Sequence, residues 1–458
     1  MKHRMKWGSV ALLLVGSCFL FSGCKKEESS NEIVLRVANC EEYIDEGDWD
    51  EAIELDNGVS IYAENALVDD FEDWYYETYG KRVRVEYSTY GTNEDLYNQL
   101  TLGSKFDLVC PSEYMILKMM NEDKVLPFSD EFFDESDENN YYVKGLSPYI
   151  RNVFENLTID DKRMMDYGAG YMWGSMGIVY NPDAVAQEDL KHWSLLLSPK
   201  YTKQVTMKDS IRDSYIVALC ILNEEEFMSD EFINNPNYAD RLSEALNATD
   251  EDTVNKVEEI LSQMRTNAYS LETDSGKADM VSGKVVANMQ WSGDAVYTMD
   301  QAEEDDYELD FFIPEEASNL WFDGFCMLKD GINGDAEKQH AAEAFINFIS
   351  RPDNVIRNMN YIGYTSAISG GDNEDILEYV KYCYEDEDGV PYDLSYFFGE
   401  DTVITVPEDQ LHRQLLAQYP TEDVINRCAV MSYYDGDANK RISQMWTNIR
   451  CFRFPWEH

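Results

Sequence analysis

The residues of this chain that could do chemistry are overwhelmingly carboxylates. Asp and Glu number 89 against 37 Lys and Arg, a formal charge of −52. A field that negative draws cations and repels polyanions. It argues against nucleic-acid binding, which needs basic patches to neutralise phosphates. Paired carboxylates could also cleave glycosidic bonds, but in so acidic a sequence such pairs are plentiful by chance. Much of the charge serves solubility, and runs such as Glu303-Glu304-Asp305-Asp306 read as solvated faces. Nucleophilic and metal chemistry is poorly signalled. Cys40, Cys110, Cys220, Cys326, Cys383, Cys428 and Cys451 are scattered with no CxxC pair, and the five histidines are equally dispersed. There is no HExxH, GxGxxG after a strand, phosphate-binding loop or GxSxG. No catalytic residue, metal site or cofactor is expected.

The elements that must position these carboxylates alternate between strand and helix. Strands are expected at Ile33–Ala38, Val83–Tyr87 and Asp107–Cys110, and helices at Val68–Tyr79, Asn93–Leu102 and Ser112–Met120. Such alternation implies parallel strands with crossover helices, an α/β fold whose ligands bind beyond the C-terminal strand ends. Those ends are Asn39–Tyr43, Ser88–Asn93 and Pro111–Tyr114. A second α/β pattern starts near Gly177, with short strands at Ile178–Tyr180 and Val205–Met207, a helix from about Asp213 to Leu222, and Val285–Met289 leading into Trp291-Ser292-Gly293-Asp294. An amphipathic helix through Ala341, Phe345 and Ile349 ends at Arg351-Pro352. Residues 370–415 are acidic and turn-rich and read as a surface decoration. The 458 residues suffice for one bilobed unit.

Residues 1–24 carry Lys2, Arg4 and Lys6, then an apolar run from Trp7 to Phe21, then Ser22-Gly23-Cys24. This resembles a bacterial lipoprotein signal, with Cys24 as the lipidated residue; an ordinary cleaved signal peptide is the alternative. The apolar run is too short to span a bilayer comfortably, and no later stretch is long enough. Residues 25–32 read as a polar tether. The mature protein is therefore expected outside the cytoplasm, anchored to the cell membrane by lipid on its outer face, or in a periplasm.

A series of short segments runs in order through residues 33–370: Asn39-Cys40-Glu41-Glu42-Tyr43, Tyr87-Ser88-Thr89-Tyr90 with Asn93-Glu94, and Phe106 to Tyr114. Tyr171-Met172-Trp173-Gly174, Trp291-Ser292-Gly293-Asp294, Trp321-Phe322-Asp323, Arg351-Pro352-Asp353 and Ile362-Gly363-Tyr364 follow. In order and spacing they resemble the spermidine/putrescine-binding proteins of bacterial polyamine ABC importers. The resemblance implies a two-lobed periplasmic-binding-protein fold of type II with ligand in the interlobe cleft. Lobe 1 would comprise 33–177 plus 322–370. Lobe 2 would comprise 178–321 plus 371–458, with an acidic insertion at about 375–415. Putrescine or spermidine would bind, and a monomeric receptor would hand it to a membrane permease driven by separate ATPase subunits. The chain would have no reaction of its own.

By the same resemblance, Asp323 and Asp294 would anchor ammonium groups, and Trp291 and Trp321 would flank the methylene chain. Tyr43, Ser112 and Tyr114 would line the first lobe's side, with Glu42 and Glu113 adding negative potential. Asp213 matches an acidic position of the second lobe, Tyr364 would add a wall, and Trp173 would pack near the hinge. Asp294 is typical of putrescine-type members, where spermidine-type members tend to have Ser. Ser210 falls where the spermidine type has an acid, which adjacent Asp209 could replace. Cys40 stands where the family usually has Trp, and about 20 extra residues follow Tyr43. An ammonium–carboxylate pair at 4 Å is worth roughly 4 kcal/mol at an effective dielectric of 20. An aromatic face adds about 0.5–2 kcal/mol and each buried methylene about 0.8 kcal/mol. Taken singly, each residue has a structural reading: Trp291 in a core, Asp294 at a helix N-terminus, Asp323 capping a turn, Glu42 and Glu113 on the surface. Alternatives are a same-fold receptor for another solute, a ligand sensor or adhesin without a transporter, and an extracellular glycan hydrolase. A receptor for an acidic solute should show an arginine clamp, and Arg212 is the only basic residue among the cleft matches.

Overall fold

The computed structural model describes residues 32–451, so the signal-like segment, Cys24 and the tether before residue 32 lie outside the described residues. Strand Glu32–Cys40 runs parallel to Arg82–Tyr90 on one side and to Leu108–Val109 on the other. Helices Leu67–Tyr79, Asn93–Thr101 and Glu113–Asn121 follow in alternation. The strand's alternate residues Leu35 and Val37 are buried, as its pattern requires. A second parallel set consists of Val205–Lys208 between Ser270–Glu272 and Ala287–Trp291.

Two long strands join these halves. Gly168–Tyr180 and Ser318–Leu328 are buried at every residue and pair antiparallel. The C-terminal end of Gly168–Tyr180 continues into the second half, pairing with Ala287–Trp291 and Asp310–Phe312. One sheet thus runs in the order Ser270–Glu272, Val205–Lys208, Ala287–Trp291, Gly168–Tyr180, Ser318–Leu328, Leu108–Val109, Glu32–Cys40, Arg82–Tyr90. The sequence pattern caught only the last residues of Gly168–Tyr180. Its earlier part, Gly-Ala-Gly-Tyr-Met-Trp-Gly, is buried throughout and has few β-branched residues, so neither alternation nor propensity marks it.

The insertion after Tyr43 folds onto helix Pro352–Ile362. Asp45 is its pivot: its carboxylate accepts from the Trp49 indole at 3.0 Å and from Arg357 Nε at 2.7 Å, and its backbone N–H donates to Asn358. Arg357 also reaches Asp70 at 2.7 Å, tying the loop to helix Leu67–Tyr79.

Residues 375–415 are not a surface decoration. Ile376, Tyr379, Tyr384, Tyr392, Leu394, Phe397, Ile404 and Val406 are buried. Apolar residues alternate along the hairpin Val390–Asp393/Val403–Val406, so one face is covered while the acidic residues stay outside. Helix Asp375–Tyr384 packs on Pro352–Ile362, and Ser395–Phe398 packs on Pro148–Asn156. The next helix, Gln414–Gln418, packs on Ser292–Glu304 of the second half. The sequence division gives this whole segment to lobe 2; its contacts are shared between the halves.

Candidate binding cleft

The side chains that converge come from strand ends and the turns beyond them, on both halves. Asp323 lies in Ser318–Leu328 at a register shift between Asp323 and Gly324, where a bulge re-aims the side chain. The Ser112 hydroxyl donates to Oδ1 at 2.6 Å and the Tyr43 hydroxyl to Oδ2 at 2.8 Å. Ser112 is itself held by Asn93, whose Nδ2 donates to its hydroxyl and whose Oδ1 accepts its backbone N–H. The helix that Asn93 opens is capped by Thr92, which leaves the Asn93 side chain free to orient Ser112. Burial pushes the Asp323 carboxyl up to about 6, with the two hydroxyls opposing and nearby Asp213 reinforcing the shift. Among the described residues no lysine or arginine lies within ion-pair distance of Asp323.

Tyr43 meets Tyr364 edge to face, ring centroids 5.2 Å apart, and Tyr364 meets Trp321 at 5.5 Å. The Tyr364 hydroxyl donates to Asp294 Oδ1 at 2.9 Å. Two touching tyrosines therefore each hold one of the two expected aspartates. Gly293 makes this possible: a Cβ there would stand 2.2 Å from the Tyr364 ring. Gly174 does the same for Trp321, whose ring would lie 2.5 Å from an added Cβ.

Asp294 opens helix Ser292–Glu304, and unlike Asp323 it has cations beside it. Lys208 Nζ lies 3.7 Å from Oδ2 and Lys277 Nζ 3.7 Å from Oδ1. Lys208, at the end of strand Val205–Lys208, also lies 3.3 Å from Glu272 and 4.1 Å from the Trp291 ring centroid. The sequence reading named neither lysine. The available signal was Lys208's place at the C-terminal end of a parallel strand, where ligands bind in such sheets.

Asp213 is buried, and its carboxyl is raised by that burial, while the Ser210 hydroxyl, donating at 2.6 Å, the Trp291 side chain and the charges of Lys208 and Arg212 oppose. Asp209 does not replace the acid expected at Ser210: it pairs with Arg450 at 3.0 Å. Tyr114 is buried, donates to Glu94 and carries the Arg212 guanidinium 4.2 Å over its ring. A second ring, Tyr434, lies 3.8 Å from Arg212, whose Nη2 donates to the Ser432 carbonyl. Arg212 is thus stacked and braced.

Glu113 is no surface charge. It is fully buried, accepts the Phe322 N–H at 2.8 Å, and burial pushes its carboxyl up to about 8. It is protonated at neutral pH and adds little negative potential, serving instead to dock helix Glu113–Asn121 beside Asp323. Glu42 is exposed, with φ of 53°. Burial works to lower the Lys277 pKa, but Asp294, Asp274 and Glu42 together raise it. Trp173 packs in the core, parallel to Phe322 and near Phe397. The Cys40 thiol is pushed up by burial and by the Asp323 charge, so a small neutral group borders that carboxylate. Outside this set, His192, Glu224 and Glu316 bring donor atoms within 4.8 Å of one another, an arrangement able to hold a cation.

Residues 66–378 match the family described as bacterial extracellular solute-binding protein. The chain is 25% identical over 298 residues to the putrescine-binding periplasmic protein PotF of Escherichia coli K12, covering 62% of this chain and 71% of PotF. Its fold matches the TpPotD lipoprotein of Treponema pallidum with a TM-score of 0.59, at 19% identity over 91% of this chain and 99% of that one. The spermidine/putrescine substrate-binding protein PotD of Streptococcus pneumoniae gives 0.58, at 22% identity over 91% and 98%. These likenesses carry the two-lobed fold. Extracellular solute binding, not turnover, is the business of the matched family, and the hydrolase reading is set aside. The match over residues 66–378 makes this chain a member of the bacterial extracellular solute-binding protein family.

Proposed function

We propose that the chain is the receptor of a polyamine importer. One observation carries this reading. Asp323 is buried, both of its oxygens are held by hydroxyls, and among the described residues no lysine or arginine lies within ion-pair distance of it. A carboxylate so placed is costly to ionise until a cation arrives, and an ammonium group is small enough to share its oxygens with two hydroxyls. Tyr43, Tyr364 and Trp321 surround it with ring faces and edges suited to a methylene chain. The match to PotF, named for putrescine, agrees in chemical class.

In this reading Asp323 takes one ammonium, Asp213 adds negative charge nearby, and Ser112, Tyr43, Tyr114, Tyr364, Trp291 and Trp321 line the site. The two halves close by bending the strands Gly168–Tyr180 and Ser318–Leu328 that cross between them. Lipidation of Cys24 would hold the receptor, as a monomer, at the outer membrane face. A permease with separate ATPase subunits would receive the ligand. Titration calorimetry of the wild type and Asp323→Asn with putrescine tests this. The variant should lose at least about tenfold in affinity; equal affinity would refute Asp323 as the anchor.

A further inference from the structure

We propose that Lys208 is a built-in ammonium closing the Asp294 end of the cleft, so that the site selects a short diamine over longer polyamines. The inference rests on the polyamine reading and narrows it.

Recognition of a ligand ammonium needs carboxylates, a carbonyl and an aromatic face. Lys208 already has all three. Its side chain is fully buried, with Nζ 3.3 Å from Glu272 Oε1, 3.7 Å from Asp294 Oδ2, 3.0 Å from the Thr273 carbonyl and 4.1 Å from the Trp291 ring centroid. The Ser214 hydroxyl donates to the Lys208 carbonyl at 2.7 Å and pins its backbone. The other Asp294 oxygen faces Lys277 at 3.7 Å and accepts from Tyr364 at 2.9 Å. Lys277 is held in turn by Asp274 at 2.6 Å, with the Tyr297 ring centroid 5.1 Å away. Both oxygens of Asp294 therefore have a protein cation beside them. A ligand ammonium brought to this carboxylate would stand next to two like charges.

Asp323 is the reverse. It is buried, accepts only hydroxyl hydrogen bonds, and has no lysine or arginine within ion-pair distance among the described residues. Asp213 is intermediate: it accepts from Ser210 and is bonded by the Trp291 side chain, and the charges of Lys208 and Arg212 reach it without forming an ion pair. A ligand charge is drawn to Asp323 first. A long triamine reaching toward Trp291 would meet the ammonium of Lys208 there. A short diamine would not.

Calorimetry at about 0.3 M salt, where diffuse attraction to the acidic surface is screened, with putrescine and spermidine as probes, tests the proposal. Removing Lys208 alone would leave Glu272 buried beside no cation. The double variant Lys208→Met/Glu272→Gln keeps the local charge balanced, and Lys208→Gln serves if the double variant does not fold. The wild type should favour putrescine by about tenfold or more, and the folded variant should gain about tenfold for spermidine. Wild type binding spermidine as tightly as putrescine, or a folded variant with no spermidine gain, overturns the proposal while leaving the polyamine reading intact. Polyamine binding by the variant but not the wild type defeats the receptor reading and, with it, the diamine selection proposed here. Binding by neither defeats both.

Discussion

Asp323 and Glu113 are both buried acids, and their raised pKa values make different predictions. Asp323 titrates near 6 without ligand. An ammonium needs its ionised form, so below about pH 6 binding must expel a proton and affinity should fall by roughly tenfold per pH unit. Calorimetry at pH 5 in two buffers of different ionisation enthalpy should detect that proton; buffer-independent heats would contradict it. Glu113 titrates near 8 in the folded chain, above its ordinary value of 4.5. The folded state therefore holds a proton that the unfolded state has lost between these values. Its stabilising contribution is complete below about 4.5 and disappears as pH rises through 8. Glu113→Gln keeps the acceptor for the Phe322 N–H and cannot ionise. Its melting temperature should match the wild type near pH 4.5 and exceed it above pH 8. An unchanged difference across that range would show that Glu113 is not buried as a neutral acid.

The motif segments made Asp323, Asp294, Tyr43, Ser112, Tyr364 and Trp291 legible in the sequence as candidates. Their partners were not. Lys208 and Lys277 meet Asp294 from distant points in the chain, and a lysine gives no local sign of burial. Glu113 looks like any charged residue opening a helix until strand Ser318–Leu328 covers it.

At the scale of elements, Gly293 and Arg357 decide how the site is framed. Gly293→Ala would drive a Cβ into the Tyr364 ring. Overpacking of this kind costs about 1–3 kcal/mol, and displacement of Tyr364 should weaken amine binding as well. Denaturant unfolding and calorimetry on the same variant check both, and an unaltered protein would mean that Tyr364 is free to move. Arg357→Met would leave Asp45 buried without its cation. Breaking a buried pair from one side costs about 3–5 kcal/mol, seen as a lower unfolding midpoint. Strands rich in Val and Ile, such as Glu32–Cys40, announced themselves by alternation. The glycine-rich start of Gly168–Tyr180 did not, although it is the element that joins the halves. The insertion after Tyr43 was visible as extra length, but its docking through Asp45 depends on a residue from helix Pro352–Ile362.

Over the whole molecule, the two α/β halves followed from the order of strand and helix patterns, and the motif order gave the fold family. The segment 375–415 was misread because its acidic residues dominate the composition, while its apolar residues alternate and cover Trp173 and the helix Pro148–Asn156. Phe397→Ala should cost about 3–5 kcal/mol, far beyond what a surface decoration would. The segment's helices contact both halves, so lobe movement must be accommodated there as well as in the crossing strands.

The central claim is a specific amine site on a chain whose formal charge of −52 attracts any polycation. Titration calorimetry of residues 25–458 with putrescine, cadaverine, spermidine and spermine at about 0.3 M salt separates the two effects. One-to-one binding that survives the salt, strongest for a diamine, is the predicted result. Heats that vanish on screening, with no saturable binding of any of the four, would contradict the account.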